Sequence, residues 1–257
     1  MGLQLMPEAR LKLKYTRRRA FRTFLHLLSR LAFWLVAEVE IEGEENIPKG
    51  EAFLVVGNHF SFIDPVCLVR IFSWPLDFVG GAEMPHAPNI VKFIPKLWGY
   101  YPLFRGTGSR DSLRAAEHIL SNGGILGIFP EGGAWAEVLR PARPGTAYLA
   151  TQTGARILPI GLVGLNDVFP MRWGKRAKIK FQIGEPIGPL TVDGRGRERR
   201  QQLDAYGHLI MRKIAELLPE EKRGSYSKNP EIRAAAMEFE AYPWDVKLEG
   251  EVVGEVH

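Results

Sequence analysis

Cysteine is nearly absent from this chain: Cys67 is the only one in 257 residues. No intrachain disulfide can form and no cysteine-based zinc site can be assembled, so a reducing compartment suits the chain. A long apolar run is missing as well. Between Thr16 and Ala37, a segment without Gly or Pro, the longest stretch free of Arg and His runs from Leu31 to Ala37. A spanning helix needs roughly 20 mostly apolar residues, so this one is not expected to cross a bilayer. The N-terminal residues show no uninterrupted apolar segment followed by a small-residue cleavage site, and no secretory signal is expected. Internal repeats and low-complexity tracts are also lacking.

What is present fits a packed globular domain, with 46% hydrophobic and 25% charged residues. The apolar residues are spread evenly, which predicts one globular domain over 39–224, with a helical preface over 1–38 and an acidic tail over 225–257. The formal charge of +5 is unevenly placed. Residues 1–30 hold eight Lys or Arg against the single acid Glu8, whereas residues 231–257 hold seven acids against Arg233 and Lys247. A basic end suits an anionic surface, either nucleic acid or the acidic headgroups of a cytoplasmic leaflet.

The pattern within the preface separates these. Phe21, Phe24, Leu25, Leu28, Leu31, Ala32 and Leu35 recur at helical spacing, while Arg18, Arg22, His26 and Arg30 step by four into a cationic stripe. Such a helix lies in the membrane interface with its apolar side among acyl chains. The alternative is an ordinary amphipathic helix packed on the domain core. A broad leucine and phenylalanine face argues against nucleic acid as the partner. The expectation is a peripheral or monotopic protein at the cytoplasmic face of the cell membrane.

Downstream, Val39 to Glu42 alternates, Gly43 to Gly50 reads as a loop and Ala52 to Val56 as a buried strand. Asp64-Pro65 carries the residue types of a helix start and opens a helix to Phe72. Further strands are predicted over Leu76 to Val79, Gly124 to Phe129, Arg156 to Val163 and Lys178 to Ile183. Helices are predicted through Leu113 to Leu120, over Thr146 to Thr153 and from Arg197 to Leu218. Strands alternating with helices indicate an α/β domain.

His59 and Asp64 are candidate catalytic residues. The spacing alone is weak evidence, because with six histidines and 29 acids such a pair arises by chance with about even odds. Placement carries more. Residues five apart cannot face one another on a helix, but a turn between a strand and a helix can fold Asp64 back onto His59. The carboxylate would then hold one ring nitrogen and stabilise the imidazolium formed when the other takes a proton, which makes a general base for an alcohol. The alternatives are a helix-capping Asp64 and a hydrogen-bonded loop histidine.

Several segments together resemble the glycerolipid acyltransferase family, which includes the 1-acylglycerol-3-phosphate acyltransferases. Asn58-His59 with Ser61 and Asp64 is similar to its first block and Leu103-Phe104-Arg105-Gly106 to its second. Phe129-Pro130-Glu131-Gly132 is similar to the third block, Leu158-Pro159-Ile160 to the fourth, and Gly184-Glu185-Pro186-Ile187 to a further recurring element. The resemblance spans about Val39 to Pro189 and implies a mixed sheet flanked by helices. It implies that His59 deprotonates the hydroxyl of a lysophospholipid, which attacks an acyl thioester supplied as acyl-CoA or acyl carrier protein, with no covalent enzyme intermediate, no metal and no cofactor. Arg105, Glu131 and Gly132 would bind substrate, the arginine through bidentate contacts to the acceptor phosphate. The third block departs from the family, which continues Thr-Arg-Ser where this chain has Gly133-Ala134-Trp135. Either Arg110, Arg140 or Arg143 replaces the missing arginine, or the acceptor is not a simple phosphate monoester.

Overall fold

The computed structural model describes residues 19–72, 76–81, 97–99, 101–103, 110–134, 136–168 and 176–240. Among them seven strands form one mixed sheet. These are β1 (Ala37–Glu42), β2 (Phe53–Gly57), β3 (Asp77–Gly81), β4 (Tyr101–Leu103), β5 (Ile125–Ile128), β6 (Arg156–Val163) and β7 (Ala177–Ile183), in the order β1-β7-β6-β2-β5-β3-β4. Only the β6–β7 pairing is antiparallel. The helices are α1 (Arg19–Val36), α2 (Asp64–Ile71), α3 (Arg110–Ser121), α4 (Gly145–Thr153), α5 (Gly196–Glu216) and α6 (Pro230–Ala236).

Strand β2 lies at the centre and explains why its sequence is apolar without alternation. Phe53 and Val55 point into a core shared with Phe33 of α1 and with Cys67 and Leu68 of α2. Leu54 and Val56 point the other way, towards Ala116, Ile119, Ala147 and Ile210 of α3, α4 and α5. A parallel strand covered on both faces needs an apolar residue at every position. At the sheet edge β1 alternates instead, and Lys180 of β7 pairs with Glu40 and Glu42 across the outer strands. Strand β4 falls near the end of the stretch from Pro85 to Phe104, which is rich in proline and aromatic residues and carried no strand signal.

Helix α1 departs from expectation in its orientation. Arg22 and His26, two members of the cationic stripe, are turned inward and are 2% and 7% exposed. Arg22 pairs with Asp77 at 2.7 Å and donates to the Trp98 and Gly99 carbonyls at 3.0 and 2.9 Å. His26 Nδ1 meets the Val69 carbonyl at 2.6 Å. The cause is electrostatic: a buried carboxylate at the start of β3 and buried carbonyls near the end of α2 and before β4 require donors, and α1 supplies them. The outward arc is apolar, with Phe24, Leu27, Leu31, Trp34 and Leu35 each more than half exposed. Arg18 lies outside the described residues.

The chain beyond α5 is folded against the body. Leu139 donates to the Lys222 carbonyl at 3.0 Å and accepts from the Ser225 amide at 3.1 Å. Helix α6 follows, capped by the Asn229 side chain, which accepts from the Glu231 amide. Asn229-Pro230 combines a capping residue with proline at the first helical position, a helix signal in a region read only as an acidic tail.

Candidate active site

Four side chains converge beyond the carboxyl end of β2, the end of a parallel sheet where sites form in α/β folds. Asn58 comes first. Its amide nitrogen donates to the Leu162 carbonyl at 2.9 Å and its oxygen accepts from the Leu162 amide at 2.7 Å. The backbone ladder between β2 and β6 ends at Gly57 and Ile160, so the Asn58 side chain supplies the next rung and holds the chain as it leaves the sheet.

His59 follows directly. Its Nδ1 lies 2.8 Å from Asp64 Oδ2, which also accepts from the Ser61 amide at 2.8 Å. An ionised carboxylate accepting from Nδ1–H leaves Nε2 as the ring's acceptor. The ring stacks on Phe129 with centroids 4.3 Å apart and planes 21° apart. The His59 side chain is 17% exposed and that of Asp64 1%. Asp64 is the first residue of α2 and its side chain makes no capping bond to the helix; Ile63 occupies the N-cap position. Its carboxylate is thus committed to His59 and Ser61. Burial pushes the Asp64 carboxyl up, and His59 and the Ser61 amide pull it back. Oδ1 is buried without a partner.

Glu131 closes the site from β5. Its Oε1 accepts from the His59 amide at 2.8 Å. Its Oε2 meets the Arg140 amide at 3.3 Å and Arg140 Nε at 3.2 Å. Burial raises the Glu131 carboxyl to about 8, against the pull of Arg140 and the two amides. Gly132 makes this approach possible. Its φ of +81 lies in the left-handed region that favours glycine, and its amide closes a turn on the Phe129 carbonyl at 3.1 Å.

Of the residues singled out from the sequence, His59, Asp64, Glu131 and Gly132 come together, and Arg105 lies outside the described residues. Arg140, one candidate for the missing block-three arginine, is committed elsewhere: it is 2% exposed, paired with Glu131 and bonded to the Gly133 carbonyl. Arg143 is exposed, and its amide donates to the Pro130 carbonyl at 2.8 Å, which keeps it beside block three. Asn58 and Phe129 were legible only as motif members, since their roles depend on which strand lies opposite. Cys67 is buried, and burial and the nearby Asp64 push its thiol up, so it is unsuited to act as a nucleophile. Among the described residues no group of three or more His, Cys, Asp or Glu is placed to hold a metal.

A family model described as Acyltransferase matches residues 38–163. Residues 38–163 thus form an acyltransferase-family domain, and the chain is similar to proteins described as 1-acyl-sn-glycerol-3-phosphate acyltransferases. It is 29% identical over 151 residues to such a protein from Borreliella burgdorferi, covering 54% of this chain and 57% of the relative. The chain therefore spans little more than half the length of that relative. A Bacillus subtilis protein described in the same way is 25% identical over 180 residues, covering 70% of this chain and 87% of its own length. The crystal structure of the 1-acyl-sn-glycerophosphate acyltransferase of Thermotoga maritima matches with a TM-score of 0.56 and 25% identity, over 81% of this chain and 84% of that one. The acyltransferase match runs from the second residue of β1 to the end of β6, so it contains His59, Asp64 and Glu131 but not the segment around Lys222 and Ser225 that braces Leu139.

Proposed function

We propose that the protein transfers a fatty acyl group from acyl-CoA or acyl carrier protein to the free hydroxyl of 1-acylglycerol 3-phosphate, giving phosphatidate. The observation that carries this reading is the 2.8 Å contact between His59 Nδ1 and Asp64. It makes Nε2 the proton acceptor on a ring that is clamped by a carboxylate at its edge and by Phe129 on its face. Nε2 takes the hydroxyl proton as the oxygen attacks the thioester carbonyl. The tetrahedral intermediate expels the thiolate, which leaves as the thiol with that proton. Asp64 orients the ring and stabilises the imidazolium while the proton is held.

Glu131 and Gly132 shape the wall of the acceptor site, and the acceptor phosphate is held by Arg105 together with Arg143, which takes the place of the block-three arginine that the family has and this chain lacks. Acylation of a different lysolipid is the second reading, and the Gly133-Ala134-Trp135 departure favours it. The protein works as a peripheral enzyme at the cytoplasmic face of the membrane, with the apolar arc of α1 among acyl chains. That arc supports the reading because large apolar groups side by side on one helix face mark a surface that is covered in use. No described helix is long and apolar enough to cross a membrane. The deciding experiment measures thioester-dependent acylation across lysophosphatidate, neutral and zwitterionic lysolipids, with His59→Ala as control. Turnover on lysophosphatidate above the other acceptors, abolished in the variant, is the expected outcome. Acylation that survives in His59→Ala rejects the mechanism, and no turnover on lysophosphatidate rejects the acceptor.

A further inference from the structure

Two arginines flank the crossing of α1 and α2. His26 touches the Val69 carbonyl, so α1 meets α2 at the residue before Arg70, and Arg30 stands one turn beyond His26 on the same side of its helix. The charge of Arg30 reaches Arg70: burial and that charge both lower the affinity of Arg70 for its proton, and Glu44 opposes them. Neither arginine has a side-chain ion pair or hydrogen bond with a described residue, and Arg70 Nε is buried without an acceptor. Like charges held together beside an unmet buried donor are unfavourable unless an anion joins them.

The surroundings say which anion. Arg30 stands at the border of the outward apolar arc: at 100° per residue, Trp34 and Leu27 lie about 40° and about 60° away from it around the helix. Trp34 is 66% exposed and Leu27 58%. A pair of cations at the rim of an apolar helix face matches an amphiphile that carries its phosphate at the rim of an apolar layer. A free phosphate would make no use of the apolar arc. We propose that Arg30 and Arg70 clamp the phosphate of an anionic phospholipid headgroup while Leu27, Leu31 and Trp34 enter the acyl layer beside it. This rests on the membrane reading given above and adds to it a headgroup preference located at two residues.

The test uses the full chain with vesicles of phosphatidylcholine alone and of phosphatidylcholine mixed with phosphatidylglycerol. An Arg30→Gln/Arg70→Gln protein is compared with Arg197→Gln/Arg200→Gln, which removes the same charge from exposed positions of α5. Wild type is expected to prefer the mixed vesicles. The first variant loses that preference by about fivefold per arginine, from roughly 1 kcal/mol per basic residue at an anionic surface, and the second keeps most of it. Arg30→Gln alone, at an exposed position, gives about fivefold and keeps the test readable if the double variant melts early. Inorganic phosphate at matched ionic strength is expected to leave binding unchanged, and competition by it overturns the headgroup assignment. Equal losses in the two double variants overturn the clamp, as does wild-type binding that is equal on both vesicles and weakened by Trp34→Ala. In that last outcome the membrane reading survives, whereas wild type that binds neither vesicle overturns the membrane reading itself.

Discussion

At the scale of single residues, the site is a set of fixed donors and acceptors around one imidazole. Asp64 and Phe129 act on the ring, and Glu131 acts on the backbone that carries it. These roles predict separable losses. His59→Ala is expected to lower kcat by about 10²- to 10⁴-fold, the range of a positioned general base, and to lower the melting temperature too, because the buried Asp64 carboxyl loses its ring partner. Asp64→Asn keeps the volume but offers the ring a weaker acceptor, so kcat falls while KM for the acceptor stays within about twofold. A KM effect larger than the kcat effect in Asp64→Asn would remove the orienting role. His59 and Asp64 were readable from the sequence because a strand, a turn and a proline-started helix admit few geometries over five residues. The Glu131–Arg140 pair was not, since nothing in a nine-residue loop spacing says that the arginine turns inward to the carboxylate rather than outward to a phosphate.

At the scale of elements, most boundaries followed from periodicity, and β6 was read to the residue. The difficulties came where a face is set by partners. For α1 the apolar and polar positions were plain, but Arg22 and His26 of the polar stripe face the protein because Asp77, Trp98, Gly99 and the Val69 carbonyl sit beneath them. No helical wheel contains that information. The same helix yields a prediction, because an exposed tryptophan contributes little to the fold and much to an interface. Trp34→Ala is expected to change stability by less than about 0.5 kcal/mol and to weaken vesicle binding severalfold, measured by thermal melts and by sedimentation with lipid. The turn at Gly224 yields another. Its φ is +48, and a Cβ there would sit 2.1 Å from the Leu139 carbonyl oxygen. Gly224→Ala should therefore cost about 2 kcal/mol or more from backbone strain and displacement, seen as a lower denaturant midpoint. Turnover should fall as well, because the displaced Leu139 precedes Arg140, which holds Glu131.

At the scale of the whole molecule, the site is where separate stretches of chain close on one another: β2 delivers Asn58 and His59, β6 receives Asn58, β5 delivers Phe129 and Glu131, and the segment from Lys222 to Ser225 braces the loop that returns Arg140. A buried carboxyl at that junction links folding to pH. Glu131 titrates near its ordinary 4.5 in the unfolded chain and at about 8 in the folded one. Between those values the folded protein holds a proton that the unfolded chain has released. The contribution is therefore fully present below about 4.5 and is lost as pH rises through about 8. Glu131→Gln removes the titration while keeping an oxygen to accept from the His59 amide. Melting temperatures of wild type and variant, measured at intervals from pH 5 to pH 9 in one ionic strength, should diverge in slope, the wild type declining more steeply towards alkaline pH. Parallel slopes would mean that Arg140 and the two amides outweigh burial and keep Glu131 ionised throughout. In that case the pair acts as a permanent ionic latch on the His59 backbone, and Arg140→Gln, which leaves the carboxylate buried and unpaired, should destabilise the protein more than Glu131→Gln does.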